Sequence, residues 1–92
     1  MFAIAFGLTV AQAETHHPQG ATQAYSEIRV VLGKHGFRPV QGSLYVTDEE
    51  DMAKLFLAIQ ALRERPRFPA SVRDIRAFRV EQWSDFTSVV KS

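Results

Sequence analysis

Large and small apolar residues alternate over the first eight positions of the chain. The large ones are Phe2, Ile4, Phe6 and Leu8, and the small ones are Ala3, Ala5 and Gly7. A period of two predicts a β-strand, because successive side chains of a strand point to opposite faces of the sheet. One face of this strand is bulky enough to pack under helices, and the other is nearly flat.

This apolar start also has the character of a secretion signal, since a small-x-small triplet follows at residues 11–13. A signal peptide carries a positively charged region before its apolar core, and this segment has none. No apolar run approaches the roughly 18 to 20 residues that a membrane span requires. We therefore expect a strand, no membrane partner and a cytoplasmic location.

Two amphipathic helices are predicted after the first strand. Residues 9–19 are polar and contain Pro18, which is typical of a loop. Apolar residues then recur every three or four positions over residues 21–32, and Gly36 is placed to end this helix. Residues 47–50 fit a capping box, with Thr47 as the cap of a second helix that ends before Pro66. The expected buried stripe of that helix is Met52, Leu55, Phe56, Ile59 and Leu62.

Shorter strand patterns fill the rest of the chain. Residues 37–40 and 43–47 favour two strands joined at Gly42, and Pro39 places the first of them at a sheet edge. Residues 66–69 predict a turn. Residues 72–80 predict a long strand, although its charges do not alternate cleanly, and Ser84 is placed to cap a short terminal helix.

The order strand, helix, strand, strand, helix, strand predicts an α+β fold. It is the ferredoxin-like split βαβ (βαββαβ) pattern over one domain, residues 1–92, with a short C-terminal helix. Both main helices then cover one face of an antiparallel sheet. Because an open apolar sheet face is an association surface, the flat strip of the first strand predicts a homodimer packed sheet to sheet. Residue 7 of each subunit is then expected near the twofold axis.

Charge is concentrated in one stretch of the chain. The net charge is +1, yet six arginines lie between residues 63 and 79 against Glu64 and Asp74, a local net charge of +4. This pattern indicates either a face that binds a polyanion or arginines that flank a turn and a strand and serve only solubility. The chain has no cysteine, which excludes disulfides, thiol catalysis and cysteine-based zinc sites.

Four segments of the sequence resemble the virulence-associated protein D family of toxin-type endoribonucleases. They are MFAIAF, QAYSEI, QGSLYVT and SVRDIRAFRVEQWSDFT, and they span the chain in order. The resemblance implies a ferredoxin-like homodimer, related in fold to the small integration subunit of CRISPR adaptation complexes. It also implies cleavage of RNA, in some members as the toxin of a toxin and antitoxin pair, with a protein antitoxin as a partner.

The resemblance places the catalytic position at residue 7. In that family the first strand usually ends in the form A-F-D-L, and its aspartate is credited with catalysis, whereas this chain has Ala5, Phe6, Gly7 and Leu8. Two aspartates across a dimer axis would share a Mg²⁺ ion that activates water and offsets phosphate charge. Gly7 supplies neither a ligand nor a base, so no metal site is expected in this chain.

We therefore expect this chain to cleave RNA poorly or not at all. Two explanations are open for Gly7. One is an engineered or selected inactivation of a toxic enzyme, which we favour because a toxic ribonuclease selects for loss of its indispensable carboxylate. The other is a natural family member that has lost the activity.

Further residues are candidates for contact with RNA. Ser43 corresponds to a polar position beside the catalytic strand in the related CRISPR subunits. Its hydroxyl would then hydrogen-bond to a phosphate or to a metal-bound water. The alternative is that the hydroxyl hydrogen-bonds only to the backbone of its own hairpin. Tyr45 either stacks on a base or packs in the core. The arginines that we assign to RNA phosphates are Arg67, Arg73, Arg76 and Arg79.

Other titratable residues are weaker candidates for catalysis. His16 and His17 offer an acid and base pair for metal-free chemistry, but adjacent loop histidines do not easily face one target. Residues 48–51 are four acids at the predicted start of a helix, where negative charge interacts favourably with the helix dipole. We favour this role over a metal site. Asp74 lies between Arg73 and Arg76, and this position favours a role as their ion-pair partner over a role as a second catalytic carboxylate.

The sequence thus predicts a homodimeric, cytoplasmic endoribonuclease of toxin type that is inactivated at Gly7. The alternative is a non-catalytic dimeric module that binds nucleic acid or protein, like the related CRISPR subunit. Cleavage by a Gly7→Asp variant distinguishes the two hypotheses.

Overall fold

The structure is a computed structural model that describes residues 1–17 and 19–92. Its strands are β1 (Phe2–Leu8), β2 (Arg38–Gln41), β3 (Leu44–Thr47) and β4 (Val72–Arg79). Its helices are α1 (Val10–His16), α2 (Ala21–Lys34), α3 (Met52–Arg63), α4 (Phe68–Ser71) and α5 (Thr87–Lys91). No helix in the described part of the chain is long and apolar enough to cross a membrane.

The four strands form one antiparallel sheet in the order β2-β3-β1-β4. β1 is a central strand, and it pairs with β3 on one side and with β4 on the other. This is the strand order of the ferredoxin-like split βαβ fold, so the predicted fold is confirmed. Pro39 lies in β2, which is an edge strand as its missing N–H donor predicted.

The core lies between the bulky face of β1 and the helices. Its members are Ile4, Phe6, Leu8, Ala13, Ala24, Ile28, Leu32, Phe37, Tyr45, Ala58, Leu62 and Phe68. The alternation predicted for β1 is confirmed, because its even-numbered residues are buried while Ala5 and Gly7 are half-buried. The odd-numbered residues therefore belong to the opposite face of the sheet.

The segment after β1 is a helix, so the loop predicted for residues 9–19 is wrong. α1 buries Ala13 completely and packs against α4. A short helix that rests on one small side chain shows no apolar periodicity, which is why the polar composition was misleading. Pro18, which favoured the loop, lies outside the described residues.

The start of α3 differs from the predicted capping box. Asp51 is the cap, and its Oδ1 accepts a hydrogen bond from the Ala53 N–H at 2.9 Å. Thr47 Oγ1 instead accepts from the Glu49 N–H at 3.2 Å. Because Thr47 is the last residue of β3 and pairs with Phe2, its backbone is held in the sheet and the helix begins later.

The face that α3 turns to the core also differs from the prediction. Ala58 and Leu62 are buried, and Leu55 and Ile59 are partly buried against the core. Met52 and Phe56, which we expected in the buried stripe, are each 62% exposed. The helix carries apolar residues on two sides, so a period of three and four could not identify the side that faces the sheet.

The C-terminal segment lies across one end of the open sheet face. It borders an open groove of about 680 Å³, whose lining includes Ala3, Val46 and Phe78 from the sheet and Trp83, Phe86 and Val90 from the segment. The sequence predicted this face as uncovered, and it remains open in part, because Ala5 and Gly7 do not line the groove and Phe78 within it is 46% exposed.

Two short elements near the C-terminus also differ from their predictions. The turn expected at residues 66–69 is present only at residues 66 and 67, and α4 begins at Phe68. The N-cap of α5 is Phe86 and not the predicted Ser84, and Asp85 Oδ1 accepts a hydrogen bond from the Thr87 N–H at 2.8 Å in the turn that leads into the helix.

Two glycines near the end of α2 provide a test of the backbone. Gly36 has a φ of +82°, while Gly33 is helical with no atom within 4 Å of an added Cβ. We expect Gly36→Ala to lower the free energy of unfolding by about 1 kcal/mol, because a Cβ is strained in the left-handed region. Gly33→Ala is the matched control and should raise it by about 0.5 to 1 kcal/mol. Urea unfolding measures the free energy of unfolding of both variants. Changes of the same sign would contradict the left-handed conformation of Gly36 and the helical conformation of Gly33.

Candidate active site

Gly7 lies near the end of the central strand, opposite Asp74 on the edge strand β4. The register of this pairing shifts at once after Gly7, because the next residue, Leu8, pairs with Val72. Arg73 is therefore an extra residue on β4, which makes a β-bulge. A bulge re-aims the side chain of the extra residue, and the Arg73 guanidinium lies beside Gly7.

Arg73 and Asp74 occupy the space that a side chain at position 7 would enter. A Cβ on Gly7 would lie 2.5 Å from Arg73 Nη2 and 2.7 Å from Asp74 Oδ1. Both atoms end flexible side chains, and the backbone of Gly7 is not in the left-handed region. A larger residue therefore needs only a rotation of these two side chains. Position 7 is in direct reach of a carboxylate and a guanidinium.

Asp74 is held in its ionised form by two arginines. Arg76 Nη1 donates to Asp74 Oδ2 at 2.5 Å, and Arg73 Nε donates to Oδ1 at 3.4 Å. The hydrogen bond from Arg76, together with the charge of Arg73, lowers the pKa of Asp74. The ion pairs predicted for Asp74 are therefore confirmed.

The two guanidiniums remain accessible. The side chain of Arg73 is 69% exposed and that of Arg76 is 75% exposed. Solvent-exposed ion pairs contribute little to stability, so an incoming anion can exchange for the carboxylate at small cost. An arginine fork matches the geometry of a phosphate. The arrangement can therefore bind a phosphodiester.

Ser43 lies beside β1, as expected. Its carbonyl accepts a hydrogen bond from the Phe6 N–H at 3.2 Å, which places Ser43 next to the residue that precedes Gly7. The residue is half-buried, and its hydroxyl makes no hydrogen bond to other described residues. Its contact with a phosphate stays a prediction.

Tyr45 is packed in the core. The residue is 5% exposed, and its ring stacks on Phe6 with centroids 6.1 Å apart and an interplanar angle of 27°. Its pairing partner Ile4 belongs to the same buried face of the sheet. Of the two alternatives that the sequence left open, the geometry favours packing, because little of the ring is left for a base.

Arg67 and Arg79 lie away from Gly7. Arg67 precedes α4, and its Nη1 is 3.9 Å from Glu27 Oε1. Arg79 pairs with Phe2 at the opposite end of β1, where its guanidinium lies 4.8 Å from the ring centroid and donates to Glu50 at 3.0 Å. The structure thus brings Arg73 and Arg76 to position 7 and places the other two arginines elsewhere.

His17 is buried on the helical side of the molecule. It is 3% exposed, and its Nε2 lies 3.2 Å from Ser71 Oγ. Its Nδ1 faces Glu27 Oε2 at 3.5 Å without a hydrogen bond. This position joins α2 to α4 and does not face Gly7. The side chain of His16 lies outside the described part of the structure, so the acid and base pair predicted for His16 and His17 stays a prediction.

The residues around position 7 do not fit a magnesium site in this chain. Asp74 supplies a carboxylate, but two guanidiniums already neutralise it. Among residues 1–17 and 19–92, no three His, Asp or Glu side chains lie together as metal ligands. The arrangement around position 7 therefore favours binding of an anion.

Comparison with known proteins shows similarity over the full length of the chain. The chain is 60% identical to an endoribonuclease VapD homolog of Neisseria gonorrhoeae over 92 residues, 100% of both chains. It is 53% identical to the endoribonuclease VapD of Haemophilus influenzae over 92 residues, again 100% of both. The endoribonuclease VapD of Dichelobacter nodosus is 45% identical over 91 residues, 99% of this chain and 98% of the relative. No protein-family profile matches the chain.

The low pKa of Asp74 can be tested by removing its main cause. We expect Arg76→Met to raise the pKa of Asp74 toward its ordinary value, because the strongest hydrogen bond to the carboxylate is lost while the aliphatic stem is kept. A titration of the side-chain carboxyl by NMR measures it. Arg38→Met is the control, since Arg38 pairs with Asp48 at 3.2 Å. An unchanged pKa of Asp74 in Arg76→Met would contradict the arrangement.

Proposed function

The chain belongs to the VapD endoribonuclease family, and we propose that it binds RNA at the Gly7 end of β1 without the carboxylate needed to cut it. The observation that carries this proposal is the position of Gly7 against the guanidinium of Arg73 and the carboxylate of Asp74. Two accessible arginines on the edge strand β4, beside the end of the central strand, are suited to a phosphate. A glycine there offers no base and no ligand.

We assign each residue around position 7 a role from its chemistry. Arg73 and Arg76 neutralise the phosphodiester and, in a cleaving protein, the extra charge of its transition state. Asp74 holds both guanidiniums in place when no RNA is bound. Ser43 is bonded through its carbonyl to Phe6, the neighbour of Gly7, and we include its hydroxyl as a further contact to RNA. Activation of the attacking group is left to position 7.

Restoring the carboxylate is the direct test of this proposal. We expect the Gly7→Asp variant to cleave a mixed RNA pool at least about 100-fold faster than the unmodified chain, because a placed acid or base contributes roughly 10² to 10⁴ in rate. Cleavage is measured both with Mg²⁺ and with a chelator, which shows whether the active form uses the ion.

Gly7→Asn is the matched control. It adds a side chain of the same size against Arg73 and Asp74, but it adds no charge. If Gly7→Asn cleaves RNA as fast as Gly7→Asp, a carboxylate is not what the chain lacks. If Gly7→Asp folds and leaves RNA intact under both conditions, the proposal fails.

The unmodified chain should still bind RNA, which is also the property of the alternative, a non-catalytic module for nucleic acid or protein. We expect the double variant Arg73→Ala, Arg76→Ala to bind RNA more weakly and to lower the slope of log K against log salt by about 1 to 2, because two phosphate contacts are lost. Arg29→Ala on α2 is the control. Fluorescence anisotropy across a salt series measures both, and equal slopes would contradict an RNA site at position 7.

We also propose that two copies associate through the open sheet face. Phe78 on this face is 46% exposed, and Trp83 and Phe86 beside it are 45% and 65% exposed. Contiguous exposed apolar side chains of this kind favour an interface. A toxin and antitoxin role with a protein antitoxin, and a cytoplasmic location, follow from the family resemblance and stay predictions.

A further inference from the structure

His17 is a buried histidine with no role in the site described so far. The residue is 3% exposed. The charged side chains that line the small space beside it are Glu27 of α2 and Arg65, just after α3. The apolar ones are Ala24, Ile28, Leu62 and Phe68. Burying a polar ring in such surroundings is costly unless its nitrogens have hydrogen-bond partners. The groups that face the two ring nitrogens therefore decide the protonation state of the ring.

The hydrogen bonds of Ser71 place a hydrogen on Nε2 of His17. The Ser71 hydroxyl donates to the Arg67 carbonyl at 3.0 Å. A hydroxyl has a single hydrogen to donate, so Ser71 Oγ can only accept from the His17 Nε2 that lies 3.2 Å away. Nε2 of His17 is therefore the donor in this contact.

Nδ1 of the same ring faces a carboxylate. It lies 3.5 Å from Glu27 Oε2, and it is buried without a hydrogen bond to any described residue. If Nε2 carries the only hydrogen of a neutral ring, the lone pair of Nδ1 points at Glu27, and two acceptors face each other. A hydrogen on Nδ1 replaces this repulsion by an attraction between opposite charges. The geometry therefore favours the imidazolium form of His17, with a hydrogen on both nitrogens.

The neighbouring arginines do not cancel this attraction. Arg65 Nη2 and Arg67 Nη1 each lie 3.9 Å from Oε1 of Glu27, which is not the oxygen that faces His17. Gln23 also donates to Oε1, at 3.2 Å. The positive charge of the arginines opposes protonation of His17, but both side chains are close to half exposed, so water screens them. The Oε2 atom of Glu27 is left to His17.

Ser71 connects this buried contact to the bulge beside Gly7. It is the last residue of α4 and is completely buried. Its carbonyl accepts a hydrogen bond from the Thr9 N–H at 2.9 Å, just after the end of β1. Arg73, the extra residue of the bulge, is only two residues further along the chain. A shift of Ser71 is therefore passed directly to the guanidinium that lies beside Gly7.

We propose that His17 is a positioning residue, whose protonated ring holds Ser71 and so keeps Arg73 beside position 7. A neutral ring has one hydrogen and can serve either Ser71 or Glu27, but not both. The arrangement is therefore complete while both ring nitrogens are protonated, and it is lost as the pH rises and the ring loses one hydrogen. This pH dependence rests on the RNA site proposed above, and it makes binding at that site weaker at higher pH.

NMR of the free, ¹⁵N-labelled full chain tests the positioning step without RNA. The ring nitrogen signals of His17 show over a pH series when the second hydrogen is lost. We expect the amide signals of Ser71 and Arg73 to change with the same midpoint as these ring signals. His35→Gln is the control, because His35 lies at the C-terminal end of α2 and makes no contact with Ser71. This variant should leave the midpoint at Arg73 unchanged.

Glu27→Gln distinguishes positioning by the charged ring from a merely structural role of His17. The carboxamide of glutamine can donate to Nδ1, so a neutral ring then satisfies both of its neighbours. We expect the Arg73 amide signal of this variant to stay near its low-pH position over the whole series. The proposal is overturned if Arg73 does not follow His17 in the unmodified chain, or if Glu27→Gln shows a step of the same size.

The affinity for a short RNA, measured by fluorescence anisotropy over the same pH series, tests the consequence. We expect the Kd of the unmodified chain to rise across the His17 step by at least about 2-fold more than the Kd of Glu27→Gln, the lower end of the effect of a residue that couples two sites. Equal changes in the two proteins would overturn the pH dependence. If the unmodified chain binds no RNA at any pH, the proposed function fails, and the spectra of the free chain still decide the role of His17.

Discussion

β1 hydrogen-bonds to a strand on each side, so its side chains have only two directions, into the helical core or onto the open face. Ile4, Phe6 and Leu8 take the first direction and build the core. Ala5 and Gly7 take the second. The same alternation that buries one face therefore leaves a shallow strip on the other, and the register of β1 with β4 decides which side chains border that strip.

The bulge beside Gly7 turns this strip into a site. Without the extra residue on β4, a strand with alternating faces would send Arg73 and Asp74 to opposite sides of the sheet. With it, both lie within 3 Å of a Cβ built at position 7. Arg76, two residues from Asp74 and therefore on the same face, completes the group. A guanidinium, a carboxylate and the end of a central strand meet at one point because of one inserted residue.

The fold could be predicted from the sequence because its strands and main helices carry regular apolar patterns, above all in β1. α1 could not, since a helix anchored by Ala13 alone has no periodicity to detect. The side of α3 that faces the core was misjudged because Phe56 and Leu62 look alike in a sequence with two apolar faces. At the site, position 7 was identified through the family resemblance. The placement of Arg73 beside position 7 depends on a β-bulge, which the residue pattern of β4 did not predict.

The most direct test of the site is to observe where RNA contacts this chain, which we expect to bind without cutting. Amide chemical shifts of the ¹⁵N-labelled protein can be followed while a short RNA is added. We expect the largest shift changes at Gly7, at residues 73–76 and at Ser43. Changes confined to the surface around Glu27 and Arg67, with position 7 unaffected, would contradict it.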